Sequence, residues 1–433
     1  MSNLVSNKYR RGTSTRVTFP TLPSLTVQPR KIDIIQKQYN HDVLIMEFPA
    51  ESTLWFEALK TGVPVQMNWS QDTLRKNWVG YVSSISKVNS PQRMNIMQIM
   101  CVGTSFVLKE RATRVFENKT IPEAVQIIAE EFGFNVIANP HPQRFSQLTL
   151  AAVSYWEWIV EQAKRIGYGV VIDGMDLYFK PLDKMIDLGF SNAAVLSLGN
   201  AGPSFNTQLL DRTLDEFKVV YGDNVEDSNN FRATKNVGGV DPISKKMLFS
   251  SSTPTETGTP LRTEVSPTLF TEYRTDRVVN SQIDATEAAK GAAQLARFKI
   301  PADVKAQGDP RLHPFGTTYI AGTGSLTDGF WIIREARHMF HKIGDYQVQL
   351  KIATDGIGDA IVETPFRTRK DLNSITATGT PSGTINLDEA LINGTSLFNF
   401  EMSSVTTVSK ENYSTESNQG FVSAPTIWRK AGK

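Results

Sequence analysis

Short apolar runs of strand length dominate the chain from Lys31 onward. They alternate with polar or turn-forming residues and lie at 43–48, 64–69, 78–88, 94–103, 216–222, 317–322, 329–340 and 345–354. Many of them show partial two-residue alternation, which is typical of antiparallel strands because successive side chains point to opposite faces. The pattern predicts a mainly β protein, with one β region before residue 108 and a second after residue 205.

The period changes between the two β regions. Thr120–Glu123 forms a capping-box arrangement ahead of an amphipathic stretch, so it predicts the start of a helix. Ser154–Glu157 repeats the arrangement, and Gly167 suits the end of the second helix. Two apolar runs then flank residues 173–176, which predicts a hairpin. Residues 109–204 are therefore interpreted as an α+β insertion domain.

The later β region is interrupted. Residues 223–267 are polar, which predicts a long loop over 222–270 with little structure of its own. An alanine-rich helix follows, with its cap predicted at Asp284–Glu287. Close packing, within the chain or between copies, is expected at Ala288, Ala292 and Ala296. The predicted regions are a polar arm at 1–28, a first β-barrel at 29–108, the insertion at 109–204, a second β-barrel at 205–365 and an extended tail at 366–433.

Composition excludes several classes of protein. The 46 Lys+Arg and 44 Asp+Glu residues give a formal net charge of +2, so the basic excess of a dedicated nucleic-acid binder is missing. Cys101 is the single cysteine, which rules out an internal disulfide or a cysteine-based zinc site. No run reaches the ~18 apolar residues of a spanning helix. We expect a chain made in the cytoplasm, without a targeting segment.

Motifs for metal, thiol or phosphate chemistry are weak. His338 and His341 are three apart, but on a strand they would point to opposite faces, which favours solvated or edge-strand histidines. Cys101 lies in an apolar run, as expected for a buried, inert thiol. Gly322–Gly329 resembles a hairpin loop more than a phosphate cradle, and 223–227 resembles a solvated loop more than a calcium loop. We predict no metal site, cofactor or enzyme activity.

Two alternatives remain open. A cell-wall hydrolase could use a carboxylate pair, for which the candidates are Glu130, Glu131, Glu157 and Glu161, although solvated helix charges explain these residues better. A glycan- or receptor-binding protein could use Trp156 and Trp158, although aromatic residues at the start of an amphipathic helix usually pack in the core.

One stretch carries an ordered set of motifs. An alanine-rich helix ends in Ala296-Arg297-Phe298, and two turn segments, a DG-led strand and a tyrosine strand follow it. The residues that define these later motifs are Gly308, Pro310, Pro314, Gly316, Asp328, Gly329 and Tyr346. Their order resembles the second barrel of the phage tail baseplate-hub family, which includes the late-control protein D group and the hub part of type VI secretion spike proteins.

Earlier segments agree with this resemblance. Trp78-Val79-Gly80 resembles a strand motif of the family's first barrel, and the helices near Thr120 and Trp156 resemble its helical insertion. The resemblance covers roughly residues 30–365. In the family a turn has proline and glycine adjacent, whereas Phe315 separates them here. The spike domain and the lysozyme-like domain of some relatives are missing.

The resemblance implies two tail-tube-like antiparallel β-barrels plus a helical/hairpin domain. It further implies a homotrimer in which six barrels form a pseudo-sixfold ring. Such a virion structural protein would join the six-fold tail tube to a separate three-fold spike or tip in the tail baseplate. Its channel would pass DNA during genome ejection or hold a tape-measure protein. The arm and tail would contact other baseplate proteins, with Arg10, Arg11, Phe398 and Trp428 as anchors.

Overall fold

The computed structural model describes fifteen segments of the chain, separated by gaps. These are residues 13–22, 29–49, 59–71, 74–90, 93–191, 193–198, 212–220, 233–241, 244–254, 260–265, 270–274, 279, 281–341, 345–360 and 401–402. Most of the predicted arm (1–28), the tail (366–433) apart from 401–402, and the four anchor residues lie outside the described residues. The candidate calcium loop at 223–227 lies outside them as well.

The first sheet contains six strands from the start of the chain. They are β1 (Ser14–Thr18), β2 (Lys31–Lys37), β3 (Val43–Pro49), β4 (Pro64–Gln71), β5 (Leu74–Ser90) and β6 (Arg93–Gly103). They pair antiparallel in the order β1-β4-β5-β6-β3-β2. The strands alternate strictly, as in the buried Val65, Met67 and Trp69 of β4, so one face of the sheet builds a core. A 3-10 helix, Thr104–Lys109, leads out of this sheet.

The insertion follows as an α+β unit. Its elements are β7 (Arg111–Lys119), α1 (Ile121–Glu131), β8 (Asn135–Ala138), β9 (Phe145–Ser154), α2 (Tyr155–Ile166), β10 (Tyr168–Asp173), β11 (Asp176–Pro181) and α3 (Leu182–Ser191). The capping boxes at Thr120–Glu123 and Ser154–Glu157 form as predicted. The predicted hairpin also forms, with Asp173 opposite Asp176. Gly167 ends α2 in the left-handed conformation, at φ 70°.

The rest of the described chain holds the second barrel and a small sheet. The elements are β12 (Ala194–Leu198), β13 (Arg212–Val219), β14 (Ala233–Val240), β15 (Met247–Ser252), β16 (Arg262–Val265), β17 (Phe270–Arg274), α4 (Gln282–Leu295), β18 (Ile300–Gln307), β19 (Thr317–Ala321), β20 (Gly329–His341), β21 (Asp345–Thr354), β22 (Gly356–Ala360) and β23 (Glu401–Met402).

The second barrel closes on itself. Its order is β20-β19-β12-β13-β18-β21, and β21 pairs with β20 again. Two of its pairings, β12–β13 and β12–β19, are parallel, so the expected all-antiparallel barrel needs a correction. The parallel strand β12 lies within residues that the sequence had placed in the insertion. It joins the barrel because the chain leaves α3 beside the edges of β13 and β19.

Both sheets have the same strand order, although β1 is antiparallel to β4 whereas β12 is parallel to β19. The order β2-β3-β6-β5-β4-β1 corresponds strand by strand to β13-β18-β21-β20-β19-β12. A row of directly opposed residues in the first sheet runs Ile34, Leu44, Cys101, Val82. The matching row in the second runs Val219, Ala302, Ile352, Ile333. Each row ends beside a β-bulge, between Val82 and Ser84 or between Ile333 and Glu335.

The prediction of a structureless loop over 222–270 was wrong. Strands β14, β15 and β17 form a three-stranded sheet, and β16 pairs with β22. The segment is rich in Ser, Thr and Gly, and its few apolar residues, such as Val237 and Leu248, pack on α4. The predicted cap of α4 also needs correction, because Ser281 is the N-cap and its hydroxyl accepts the backbone N–H of Asp284.

Candidate functional site: the barrel junction

The two sheets are joined by one pair of strands. β2 pairs antiparallel with the second half of β20, from Lys31 opposite His341 to Lys37 opposite Glu335. Arg337 donates to Asp33 across this joint at 2.6 Å. Main-chain hydrogen bonds therefore continue from one barrel into the other. We define the barrel junction as this strand pair together with the side chains packed around it.

Tyr346 is the central side chain of the junction. It comes from β21 of the second barrel, yet it packs in the core of the first. Its ring stacks on Phe340 with centroids 4.3 Å apart. Its hydroxyl lies 2.8 Å from His338 Nδ1, and Trp69 of β4 lies against the same rings. The predicted motif tyrosine thus fastens the two barrels together.

The expectation of a solvated or edge-strand His338 was wrong. β20 pairs on both sides, so it is a central strand, and His338 is 1% exposed. Burial disfavours the charged imidazolium and lowers the pKa of His338 to about 4. His341 is exposed, and the described residues contain no cluster of three metal-ligating side chains. His338 therefore has a packing role, whereas His341 is solvated as expected.

Gly308 and Pro310 begin the turn that packs against Tyr346. The backbone N–H of Gly308 donates to the Tyr346 carbonyl at 2.8 Å. A Cβ at Gly308 would lie 2.2 Å from the Tyr346 ring, so a side chain there would force the ring away. This contact explains why a glycine precedes the proline turn.

A buried charge cluster follows directly. Asp309 accepts from Arg212 at 2.8 Å and from Arg311 at 2.9 Å, and its side chain is fully buried. Burial alone would raise the pKa of Asp309, but the two guanidinium charges outweigh it and hold the pKa well below its usual value. Neither Asp309 nor Arg212 stood out in the sequence, since no local pattern pairs residues almost a hundred positions apart.

The departure at Phe315 has a geometric explanation. Phe315 adopts a left-handed backbone at φ 64°, the region that usually favours glycine. Its ring is buried and meets Tyr39 edge-on at 5.1 Å. Pro314 and Gly316, on either side of Phe315 in the sequence, both lie close to His313. A Cβ at Gly316 would lie 2.6 Å from the His313 ring. Burial of the Phe315 ring in the core offsets the strain of its left-handed backbone.

Arg297 ties the end of α4 to two other parts of the chain. It pairs with Asp183 of the insertion at 3.1 Å and with Asp355 of the second barrel at 3.3 Å. Phe298 lies under its guanidinium. The alanines predicted for close packing are buried, and Gly291 of the same helix is so close to α2 that a Cβ would lie 2.6 Å from Gly167 N. The helix therefore packs within the chain.

Asp328 closes the hairpin loop that the sequence predicted. Its carboxylate accepts backbone N–H groups of Gly322, Thr323 and Gly324 at 2.8 to 3.1 Å. Gly329 follows at φ 129°. Arg262, which the sequence analysis missed, is fully buried beside this loop. It donates to the Thr327 carbonyl at 3.0 Å and lies over the Trp331 ring.

A small cavity lies where the two barrels and the insertion meet. Its volume is about 40 Å³, room for a few water molecules and too little for a sugar or nucleotide. Trp78, Trp156 and Pro314 line it, beside Asp42 and the Lys76–Asp173 ion pair. Burial raises the pKa of Asp42 to about 7. Gly80 leaves room for the Trp78 ring, because a Cβ there would lie 2.4 Å from it.

Three candidates for the two alternative functions have structural roles, namely Trp156, Trp158 and Glu157. Trp156 and Trp158 are buried, Trp156 stacks on His41 at 5.0 Å, and Trp158 donates to the Thr149 carbonyl. Neither ring is available to stack on a glycan. Glu157 serves as the capping residue of α2, and backbone hydrogen bonding lowers its pKa, opposite to what a general acid needs.

Cys101 is the remaining candidate from the sequence analysis. Cys101 is buried in the first sheet, and burial raises the pKa of its thiol. Among the described residues, no helix is long and apolar enough to cross a membrane.

Of the predicted motif residues, Gly308 and Tyr346 are brought into direct contact, Trp78, Trp156 and Pro314 share the cavity, and Arg297 and Asp328 organise separate corners of the second barrel.

Comparisons with known proteins agree at the level of structure. No family model matches the sequence, and no curated protein matches it. The 43 kDa tail protein of prophage MuSo2 from Shewanella oneidensis is 12% identical, with 80% of this chain and 100% of that chain covered at a TM-score of 0.57. The tail protein from Neisseria meningitidis MC58 is 10% identical, with 80% and 98% covered at 0.55. This chain therefore has the fold of these phage tail proteins, which confirms the resemblance to the hub family at the level of fold.

Proposed function

We propose that this chain is the structural hub of a phage tail baseplate or a related contractile injection machine. In this role it is a homotrimeric adaptor that joins the six-fold tail tube to the three-fold spike or tip. It has no catalytic activity, and it resides in the tail baseplate of the virion. The shared fold with two phage tail proteins supports a role in a tail.

The observation that carries the proposal is the repeat of one strand order in two joined sheets. Three such chains around an axis would present six similar units, so one protein could match six-fold symmetry on one side and three-fold symmetry on the other. The barrel junction supports this role, because its continuous strand pairing and buried side chains fix the two units relative to each other.

The expected partners follow from this geometry. They are the tail tube ring, a separate spike or tip protein and other baseplate proteins that bind the segments 1–28 and 366–433. The channel would carry DNA during ejection, or a tape-measure protein before it. A net charge of +2 suits a channel through which DNA passes without binding tightly.

Native mass spectrometry of the purified chain, alone and with its spike protein, tests the proposal. A species of three times 48.2 kDa, about 145 kDa, is expected, and electron microscopy along its axis should show six similar lobes. A chain that stays monomeric even with the spike would overturn the hub assignment. A trimer with three unequal lobes would overturn the pseudo-sixfold adaptor.

A further inference from the structure

The correspondence between the two sheets extends to individual backbone contacts. Beside the bulge of β5, the N–H of Val82 donates to Val63, and Gly62 adopts φ 86°. Beside the bulge of β20, the N–H of Ile333 donates to Gly316, and Phe315 adopts φ 64°. Apart from β1 and β12, the strands of the two sheets can therefore be aligned residue by residue, with β5 in the place of β20 and β13 in the place of β2.

This superposition gives each joint residue a counterpart. Ile34 of β2 occupies the same row position as Val219 of β13, so Ile35 corresponds to Val220. Arg337 lies four residues after Ile333, and its counterpart four residues after Val82 is Ser86. By the same count, His338 corresponds to Lys87. The joint within the chain pairs Ile34 with His338 and Ile35 with Arg337.

The counterparts are not paired within the chain. In the described residues, β12 covers only Arg212–Leu214 on the outer edge of β13, and no strand pairs with that edge at 216–220. The outer edge of β5 after Val82 is likewise unpaired among the residues described. The burial differs at both pairs of counterparts. Ile34 is buried and Val219 is half-buried, whereas Ile35 is half-buried and Val220 is 39% exposed. Ser86 and Lys87 are exposed as well.

The backbone groups of β13 are oriented for such a pairing. The N–H of Val220 donates to Pro301 of β18 at 3.2 Å, so Val220 faces its own barrel. Hydrogen-bonding direction alternates along a strand, which turns the N–H and carbonyl of Val219 toward the open edge. In β2 the corresponding residue is Ile34, whose backbone N–H and carbonyl point toward β20. Gln38, four residues later on the same strand, has the same orientation, and its N–H donates to the Arg334 carbonyl at 2.9 Å.

We propose that β13 of one copy pairs antiparallel with β5 of the next, with Val219 opposite Lys87 and Val220 opposite Ser86. The occupant of each open edge is a second copy of this chain, because the chain already shows the same joint internally. The contact is heterologous, so three copies close a ring in which all six sheets are joined alike. This inference rests on the proposed function and names the surface through which the trimer forms.

Disulfide trapping tests the register. Directly opposed residues in an antiparallel pair lie within the 4.4–6.8 Å Cα separation that a disulfide needs, as a general range. The variant with Val220→Cys and Ser86→Cys should oxidise to a covalent trimer on a non-reducing gel. The matched control, Ile35→Cys with Arg337→Cys at the internal joint, should form a disulfide within one chain.

A second control shifts the register by one residue. Val220→Cys with Lys87→Cys places the two side chains on opposite faces of the strand pair, so at least a tenfold lower yield of covalent trimer is expected. Cys101 is buried and should not compete. Equal trapping by both variants, or no trapping while the internal control forms, would overturn the proposed pairing.

Val219→Pro tests the pairing without cysteines. Proline removes the N–H that faces the open edge, and edge strands tolerate it there. The variant should be monomeric in native mass spectrometry with the melting temperature of the isolated monomer retained, whereas Val219→Thr should remain trimeric. A folded Val219→Pro trimer overturns the pairing and leaves the hub proposal intact. A wild-type chain that is monomeric even with the spike overturns both.

Discussion

The two sheets share a strand order but differ in how their edges are covered. The second barrel closes on itself through the parallel strand β12. Among the described residues the first sheet does not close, and its last strand, β2, is covered by the second barrel. Their cores also differ, with Met46, Met67 and Met97 in the first and Val304, Leu350 and Ile352 in the second. The strand order is therefore repeated although the core side chains differ. The way in which the edges of each sheet are covered decides which strand edge stays open for pairing.

The largest expected effect is on the buried charge cluster around Asp309 in the second barrel. Asp309→Asn leaves Arg212 and Arg311 without a full charge partner, so it should lower the free energy of unfolding by about 3–5 kcal/mol. Urea denaturation at pH 7 measures it. Lys351→Gln, at an exposed ion pair of the same barrel, should cost less than about 1 kcal/mol. Equal costs would contradict the assignment.

The equivalent strands β2 and β13 should respond differently to truncation. Ile34→Ala removes a fully buried side chain and should cost about 2–5 kcal/mol. Val219→Ala, at the corresponding half-buried position, should cost about 1 kcal/mol or less in the monomer. Thermal melting at a concentration where the chain is monomeric distinguishes them. Similar losses would mean that the outer edge of β13 is already covered within one chain.

The smallest effect concerns the cavity between the two sheets and depends on pH. The pKa of Asp42 is raised to about 7, so the folded chain holds this proton more tightly than the unfolded chain does. Its contribution to stability is complete below about pH 4 and is lost as pH rises through about 7. Asp42→Asn should therefore gain about 1–2 kcal/mol over wild type on going from pH 5 to pH 8. A pH-independent difference in melting temperature would contradict this.

The sequence correctly predicted those elements that depend on interactions between residues close in the chain. The capping boxes at Thr120 and Ser154 form as expected because their hydrogen bonds join residues three apart. The sheet formed by β14, β15 and β17 was missed, because its polar strands acquire order by packing on α4 rather than from their own pattern. The cluster around Asp309 was missed for the same reason, since Arg212 comes from a distant strand. His338 was misplaced because its burial depends on β2 pairing with β20.

The parallel strand β12 has a consequence for biosynthesis. Its partner β19 is more than a hundred residues further along, so the second barrel cannot close until most of the chain has left the ribosome. The edge of β2 remains unpaired for even longer, because its partner β20 is synthesised after β19. A nascent chain thus displays two unpaired strand edges for most of its synthesis, a state prone to aggregation. Production of the protein should therefore benefit from chaperones that shield strand edges.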